Sequence, residues 1–248
     1  MPDWLGLEGR RVLIAGGAGT IGSALVLGFL DAGAEVAVVD ADRARLDASD
    51  ARVAVRLAAD LRDAGACRDA VGAARDALGG LDVFVHCAGI NIRKPIEDYA
   101  DAEWEEIIGV NLSSAFYTAR AVAPGMREQG AGRMVFFSSV AGRSGHQHHG
   151  PYAATKGAID QLVRVMANEY AEHGVTVNAI APGYMDTALT ERYLSEHPDK
   201  REALIGLIPA KRFGALAEVV GPVLFLASRQ ASFITGQVLY VDGGRTVI

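Results

Sequence analysis

Short runs of β-branched and other apolar residues alternate along this chain with longer, alanine-rich stretches whose apolar positions recur at helical spacing. The runs predict strands over 11–15, 35–40, 53–57, 83–87, 133–138, 176–181 and 238–241. The stretches between them predict helices over 20–32, 62–78, 101–129, 152–173 and 217–228. Seven short runs fit one buried sheet. Right-handed crossovers wind such a βαβ series into a doubly wound, seven-stranded parallel sheet with helices on both faces, a three-layer α/β/α Rossmann fold. No linker, repeat or low-complexity segment divides 1–248, so one domain is expected. Only 184–216 breaks the alternation, with Pro198 and Pro209 among short pieces of mixed polarity. Ligands of an open α/β sheet sit beyond the carboxyl ends of its strands. An excursion leaving the sixth strand is therefore expected to be a substrate lid, with a plain connecting loop as the alternative.

Composition narrows the partners. Half of the residues are apolar and 22% are charged, as in globular chains with a large core. A net charge of −6 offers no basic stripe to neutralise phosphates, so nucleic acid is not an expected partner. No apolar stretch approaches the roughly 18 uninterrupted residues of a membrane span, and the first residues lack a leader's apolar segment. A cytoplasmic location without a membrane partner is expected. Cys67 and Cys87 are read as reduced, mostly buried thiols.

The candidate chemistry begins where Val12-Leu13-Ile14-Ala15 runs into Gly16-Gly17-Ala18-Gly19-Thr20-Ile21-Gly22. A strand, a glycine turn and a helix start form the context in which backbone approaches a pyrophosphate, so Gly16, Gly19, Thr20, Ile21 and Gly22 are expected along a dinucleotide. Asp40 closes the second predicted strand, where a carboxylate accepts from adenosine ribose hydroxyls. This favours NAD, because a 2′-phosphate brings about −1.5 to −2 charge against Asp40 and Ala41 supplies no cation. Arg43 and Arg45 weigh the other way. Asp60 is expected either to accept from the adenine amino group or to cap the next helix.

Tyr152 and Lys156 project from one face of a helix start. Such a pair suggests acid–base chemistry. A tyrosine working near pH 7 needs a shift of about 3 pH units from its free value, roughly 4 kcal/mol, which an adjacent ammonium and a positive nicotinamide can supply. Lys156 is also placed to hold the nicotinamide ribose. Ser139, at the end of the fifth strand, can orient the reacting oxygen. Beyond it, His146, His148 and His149 invite a metal reading, but no matched carboxylate accompanies them and no metal is expected.

Together the glycine loop, Asp40, Asp60-Leu61, Cys87-Ala88-Gly89, Asn111, Ser139, Tyr152-Ala-Ala-Thr-Lys156, Pro182-Gly183 with Thr187, and Val241-Asp242-Gly243-Gly244 resemble the short-chain dehydrogenase/reductase family over essentially the whole chain. The resemblance implies Tyr152 as general acid/base and Lys156 as its partner. It makes Ser139 the substrate orienter and has Asn111 hold a water that links Lys156 to solvent. It also implies that Leu61, Cys87, Ala88, Gly89, Pro182, Gly183, Met185 and Thr187 lie along the cofactor, and that helices 101–129 and 152–173 build a homotetramer. Two departures stand out. Ala15 and Thr20 replace the Thr and middle Gly of the usual Thr-Gly-x-x-x-Gly-Ile-Gly. His86-Cys87 replaces the usual Asn-Asn, removing an amide that braces the sheet end, and a structural cost is expected there.

Gly89-Ile90-Asn91-Ile92-Arg93-Lys94-Pro95 and Ala181-Pro182-Gly183-Tyr184-Met185 are similar to the gluconate 5-dehydrogenase and 2-deoxy-gluconate 3-dehydrogenase branch. A small hydroxylated substrate, a sugar acid or polyol, follows as the expectation, with Arg93, Arg143, His146, His148 and Tyr184 contacting it. Tyr184, Met185, Leu189 and Tyr193 could instead line an apolar site. The competing functions are a 3-oxoacyl-carrier-protein reductase, which would want NADPH and a basic docking face, and a non-catalytic dinucleotide sensor.

Overall fold

Apolar side chains on both faces of a strand require cover on both sides, and β1 (Arg11–Ala15) shows how this chain provides it. Leu13 and Ala15 enter one core with Phe84, Met134, Phe136, Ala119 and Val163. Val12 and Ile14 enter the other with Leu25, Phe29, Val85 and Val223. The two-residue alternation of the pleat thus feeds two cores, one on each face.

The computed structural model describes residues 4–187, 190, 194–195 and 200–247. After β1 come α1 (Thr20–Asp31), β2 (Glu35–Asp40), α2 (Arg43–Asp47), β3 (Val55–Ala58), α3 (Ala64–Leu78) and β4 (Val83–His86). Then follow α4 (Asp101–Ile108), α5 (Ser114–Gln129), β5 (Gly132–Phe137), α6 (Gly150–Tyr170), β6 (Val175–Pro182), α7 (Lys200–Gly206), α8 (Ala217–Ala227) and β7 (Val238–Val241). The strands form one seven-stranded parallel sheet in the order β3-β2-β1-β4-β5-β6-β7. The order in which strands are added therefore reverses between β1 and β4, and a crevice opens there at the carboxyl ends of the strands. Among the described residues no helix is long and apolar enough to cross a membrane.

Two elements differ from the expectation in ways that matter for the site. The helix expected over 101–129 is interrupted by a π-helical turn, Gly109–Ser113, which turns Asn111 inward to full burial. The third strand begins at Val55 instead of 53, because Asp50 to Val53 closes a turn (Val53 N to Asp50 O, 3.0 Å) held by the Arg56 guanidinium on the carbonyls of Asp50 and Val53. The 184–216 excursion returns to the sheet through a bridge between Met185 and Gly214. It carries a small core of Leu194, Ile208 and Phe213, with Tyr184 packed against it. Leu189 and Tyr193 lie outside the described residues.

Candidate active site

Ala15 and His86 are register partners at the ends of β1 and β4, so the loops that follow them stand side by side. Gly16 has φ +82°, and a methyl group there would meet the backbone nitrogen of Ala88 at 2.5 Å, so only glycine lets the two loops touch. Over them lies a cleft of about 380 Å³, lined from Gly16 and Gly19 through Asp40, Ala41 and Arg45, then Asp60, Leu61 and Arg62, to Cys87, Ala88, Gly89 and Ile90. The N-terminus of α1 points at this cleft with no side-chain cap and no acidic residue in its first turn. By contrast α2 and α3 are closed by Asp42 and Asp63. An uncapped, positively polarised helix end beside glycine backbone fits the pyrophosphate of a dinucleotide. Thr20, the first residue of α1, is exposed and has no positive φ, so it replaces glycine without backbone strain.

Asp40 lines the cleft and also holds it together. Its Oδ2 accepts from the Ala18 amide (3.0 Å) and its Oδ1 from the Asp42 amide (3.1 Å), tying the glycine loop to the end of β2. Arg45, in the same wall, pairs with Asp42 at 3.1 Å. Asp60 does not cap α3; that is Asp63, whose Oδ1 accepts from Ala66 N. The Asp60 carboxylate instead receives the Arg62 guanidinium at 2.6–3.0 Å, which lowers its pKa. Cys87 donates its thiol toward the carbonyl of Ala15 (3.2 Å), and burial pushes its pKa up to about 12, so it is an inert floor residue. Cys67 is likewise a free, buried thiol.

His86, where the family places an amide, is fully buried. It stacks on Phe136 (6.2 Å between centroids), and its Nε2 lies 2.9 Å from Ser114 Oγ. The Ser114 hydroxyl donates its hydrogen to Val110 O, so Nε2 must be the donor toward serine. Burial, and then the charge of Lys156, lower its pKa to about 3, which keeps the ring neutral. The brace has changed its chemistry but still joins the sheet end to the π turn.

The proton-handling residues gather beyond Gly89, whose added methyl would lie 3.5 Å from both Lys156 Nζ and Asn111 Oδ1. The floor of the cleft is thus one methyl group away from the lysine. Asn111 Oδ1 accepts from Ile90 N (2.8 Å), and its Nδ2 donates to Ile90 O (3.0 Å) and Thr155 Oγ1 (3.2 Å). Thr155 passes its own hydrogen to Tyr152 O at 2.7 Å. The amide therefore staples the loop after β4 to α6. Lys156 Nζ donates to Phe137 O (2.7 Å) and sits 5.6 Å from the centroid of the Tyr152 ring; burial lowers its pKa to about 8. Burial raises the Tyr152 pKa, while the Ser139 hydroxyl and then the charge of Arg93 pull it down. Tyr152, Lys156, Ser139 and Asn111 are thus brought together as expected, with Arg93 as an electrostatic partner the spacing did not show.

The substrate end needs three corrections. His148 is exposed with φ +65°, and its carbonyl accepts from Tyr99 OH (3.3 Å). This left-handed corner delivers His149 instead, whose ring stands edge-on to Tyr152 at 6.2 Å and to His146 at 5.9 Å. Arg143 is turned elsewhere: its guanidinium lies over Tyr240 at 5.6 Å, in a depression shared with Asp160 and Arg164. Tyr184 packs on Phe213 at 6.1 Å inside the excursion's own core. The Arg93 charge acts on His146, His149 and Tyr152. Among the described residues no three His, Cys, Asp or Glu side chains are grouped to hold a metal. On the cofactor side Pro182 ends β6, the Gly183 amide bonds Val241 O (3.0 Å), and Met185 is buried beneath the excursion. Thr187 turns its hydroxyl onto Thr190, capping the next turn. Sequence reading passed over Tyr99, whose hydroxyl also donates to Ile92 O (2.6 Å) and so joins the loops after β4 and β5, because a lone tyrosine in a loop carries no motif.

Residues 16–246 match the family described as enoyl-(acyl carrier protein) reductase. The gluconate 5-dehydrogenase of Gluconobacter oxydans is 35% identical, with 99% of this chain and 98% of that protein aligned. A 3-oxoacyl-[acyl-carrier-protein] reductase of Vibrio harveyi is 32% identical over 98% of this chain and all of its own length. The crystal structure of a gluconate 5-dehydrogenase from Burkholderia cenocepacia, in complex with NADP and tartrate, superimposes with a TM-score of 0.93 at 33% identity, covering 99% of this chain and 98% of that one. With the sheet order, the glycine loop and the Tyr152–Lys156 pair, these likenesses show that the chain belongs to the short-chain dehydrogenase/reductase family.

Proposed function

We propose that this protein is an NAD-preferring oxidoreductase that interconverts a secondary alcohol and a ketone on a sugar acid or related small polyol. The observation that carries the reading is the half-buried Tyr152 side chain, set between Ser139 and the Lys156 ammonium at the inner end of the cleft. Nicotinamide, when bound, supplies the hydride acceptor. Ser139 orients the substrate hydroxyl, Tyr152 removes its proton on oxidation and returns it on reduction, and Lys156 holds the ribose and favours the phenolate. Asn111 acts as a positioning residue through Ile90 and Thr155. Arg93, with His146 and His149, gives the substrate end a polar and cationic character suited to hydroxyls and a carboxylate. The similarity to gluconate dehydrogenases supports the same class.

Asp40 in the cleft wall supports NAD. One specific observation favours a second reading: Arg45 lines the same wall, paired among the described residues with Asp42, and the Burkholderia relative was crystallised with NADP. The similarity to a carrier-protein reductase offers a third substrate class. Exposed Phe116 and Val165 on α5 and α6 support a homotetramer built on those helices, which sizing with light scattering tests. The deciding experiment measures kcat/KM with NAD and with NADP for gluconate, 5-ketogluconate, galactitol and an acetoacetyl thioester. The proposal expects sugar acids with NAD to lead. A higher value with NADP assigns Arg45 to a 2′-phosphate, and preference for the thioester overturns the substrate class.

A further inference from the structure

The segment after β7 carries a guanidinium, Arg245, at the edge of the sheet where the site opens. β6 and β7 finish level, with Pro182 paired to Val241, at the same carboxyl edge of the sheet from which Ser139 and Cys87 emerge. From there Asp242 folds the chain back: its carboxylate accepts from Gly244 N (2.9 Å), Thr246 N (2.8 Å) and Thr246 Oγ1 (2.7 Å). Gly243 and Gly244, at φ +61° and +88°, permit the turn. The turn presents Arg245, whose charge reaches His146, as that of Arg93 does from the loop after β4. Arg245 Nε is buried without a hydrogen-bond partner among the described residues, and so is His146 Nε2. A buried guanidinium donor left unpaired is uncommon, and a bound water or anion is one way a folded chain satisfies it. A guanidinium presents a planar fork that matches a carboxylate, and two of them acting on one imidazole can make an anion seat.

We propose that Arg245, with Arg93 and His146, forms a carboxylate subsite, so that the fastened C-terminal turn is part of the substrate site. The assignment of that carboxylate to the substrate rests on the sugar-acid reading; the anion seat itself does not. Tartrate is the probe, and the tetritol erythritol is its uncharged counterpart. Titrated by calorimetry into cofactor-loaded protein, tartrate should bind the native chain and lose at least tenfold in affinity in Arg245→Gln, with cofactor affinity and melting temperature retained. Arg245→Lys, which keeps the charge without the fork, should lose less. KM for gluconate should rise by the same factor in Arg245→Gln at little-changed kcat, while galactitol kinetics stay put. If tartrate binding depends on Arg245 but no sugar acid is turned over, the anion seat stands and the sugar-acid reading fails. Equal tartrate affinity in native protein and both variants, tartrate binding no tighter than erythritol, or equal loss for the two probes overturns the subsite.

Discussion

Asn111 offers the sharpest test of how the site is held, because its amide makes three hydrogen bonds that can be removed with one substitution. Asn111→Ala strips partners from the N–H and C=O of Ile90 and the donor from Thr155 Oγ1. Ile90 is half-buried, so the low end of the usual unsatisfied-group cost applies to its two groups, about 1 kcal/mol each. The buried Thr155 contact and the lost side-chain packing bring the sum to about 2–4 kcal/mol. For a chain of this length each kcal/mol moves Tm by roughly 2–4 °C, so a fall of roughly 4–16 °C is expected in a thermal melt. Asn111→Asp has the same shape and keeps the acceptor for Ile90 N, but turns a carboxylate oxygen on the Ile90 carbonyl and on a hydroxyl already committed to Tyr152 O. It should be as damaging at pH 7 and should recover partly as pH falls and the acid regains a donor. Activity should drop in both, since the Ile90 loop borders Lys156. A melting temperature within 1 °C of native for Asn111→Ala, or Asn111→Asp as stable as the native chain at pH 7, would refute the stapling argument.

Tyr152→Phe should cost 10²- to 10⁴-fold in kcat with cofactor affinity unchanged by fluorescence titration, and activity kept within tenfold would remove the phenol from proton transfer. Lys156→Met should abolish turnover yet melt no lower than native at pH 7, because it removes a buried charge whose pKa is held at about 8 against an ordinary 10.5. In the unfolded chain that lysine keeps its proton to higher pH, so native stability rises between these values and the variant's advantage should shrink from pH 8 toward 10.5. His86→Asn should flatten the acid side of the stability curve. With the folded pKa at about 3 and the ordinary value 6.5, native stability is lost as pH falls below 6.5, which urea titrations at pH 7 and pH 5 would read directly.

The fold was legible because its strands are short apolar runs and its helices long, and every strand start fell within two residues of its place. What escaped has local causes. The π turn at Gly109–Ser113 differs from α-helix by one inserted residue and leaves the apolar period nearly intact, so the interrupted helix reads as continuous. The five-residue α2 owes its start to the Asp42 cap and is too short for any period. At the site, Tyr152, Lys156 and Ser139 were readable because each sits at a helix start or just past a strand end that the topology brings to one edge, whereas Asn111, in the π turn, was readable only through the family resemblance. Which side chains stand beside Tyr152 was not. Which of His146, His148 and His149 faces inward depends on a single left-handed residue, His148, and no periodicity encodes that. Arg143 and Arg93 both follow strands, yet one lies over Tyr240 and the other acts on Tyr152.

Arg93 ties the acid–base chemistry to the choice of substrate. Its charge offsets part of the burial that pushes the Tyr152 phenol upward. A carboxylate seated near Arg93 would screen that charge and strengthen the neutral phenol, the form needed to donate a proton to a ketone. An uncharged polyol would leave the charge exposed to Tyr152 and ease formation of the phenolate, the form needed to accept a proton from an alcohol. The second cation that we propose, Arg245, would change that balance, because it would let the anion be held without consuming all of the field that Arg93 places on the phenol. One guanidinium alone would have to choose between binding the carboxylate and tuning the tyrosine; two, contributed by the loop after β4 and by the turn after β7, would divide the work.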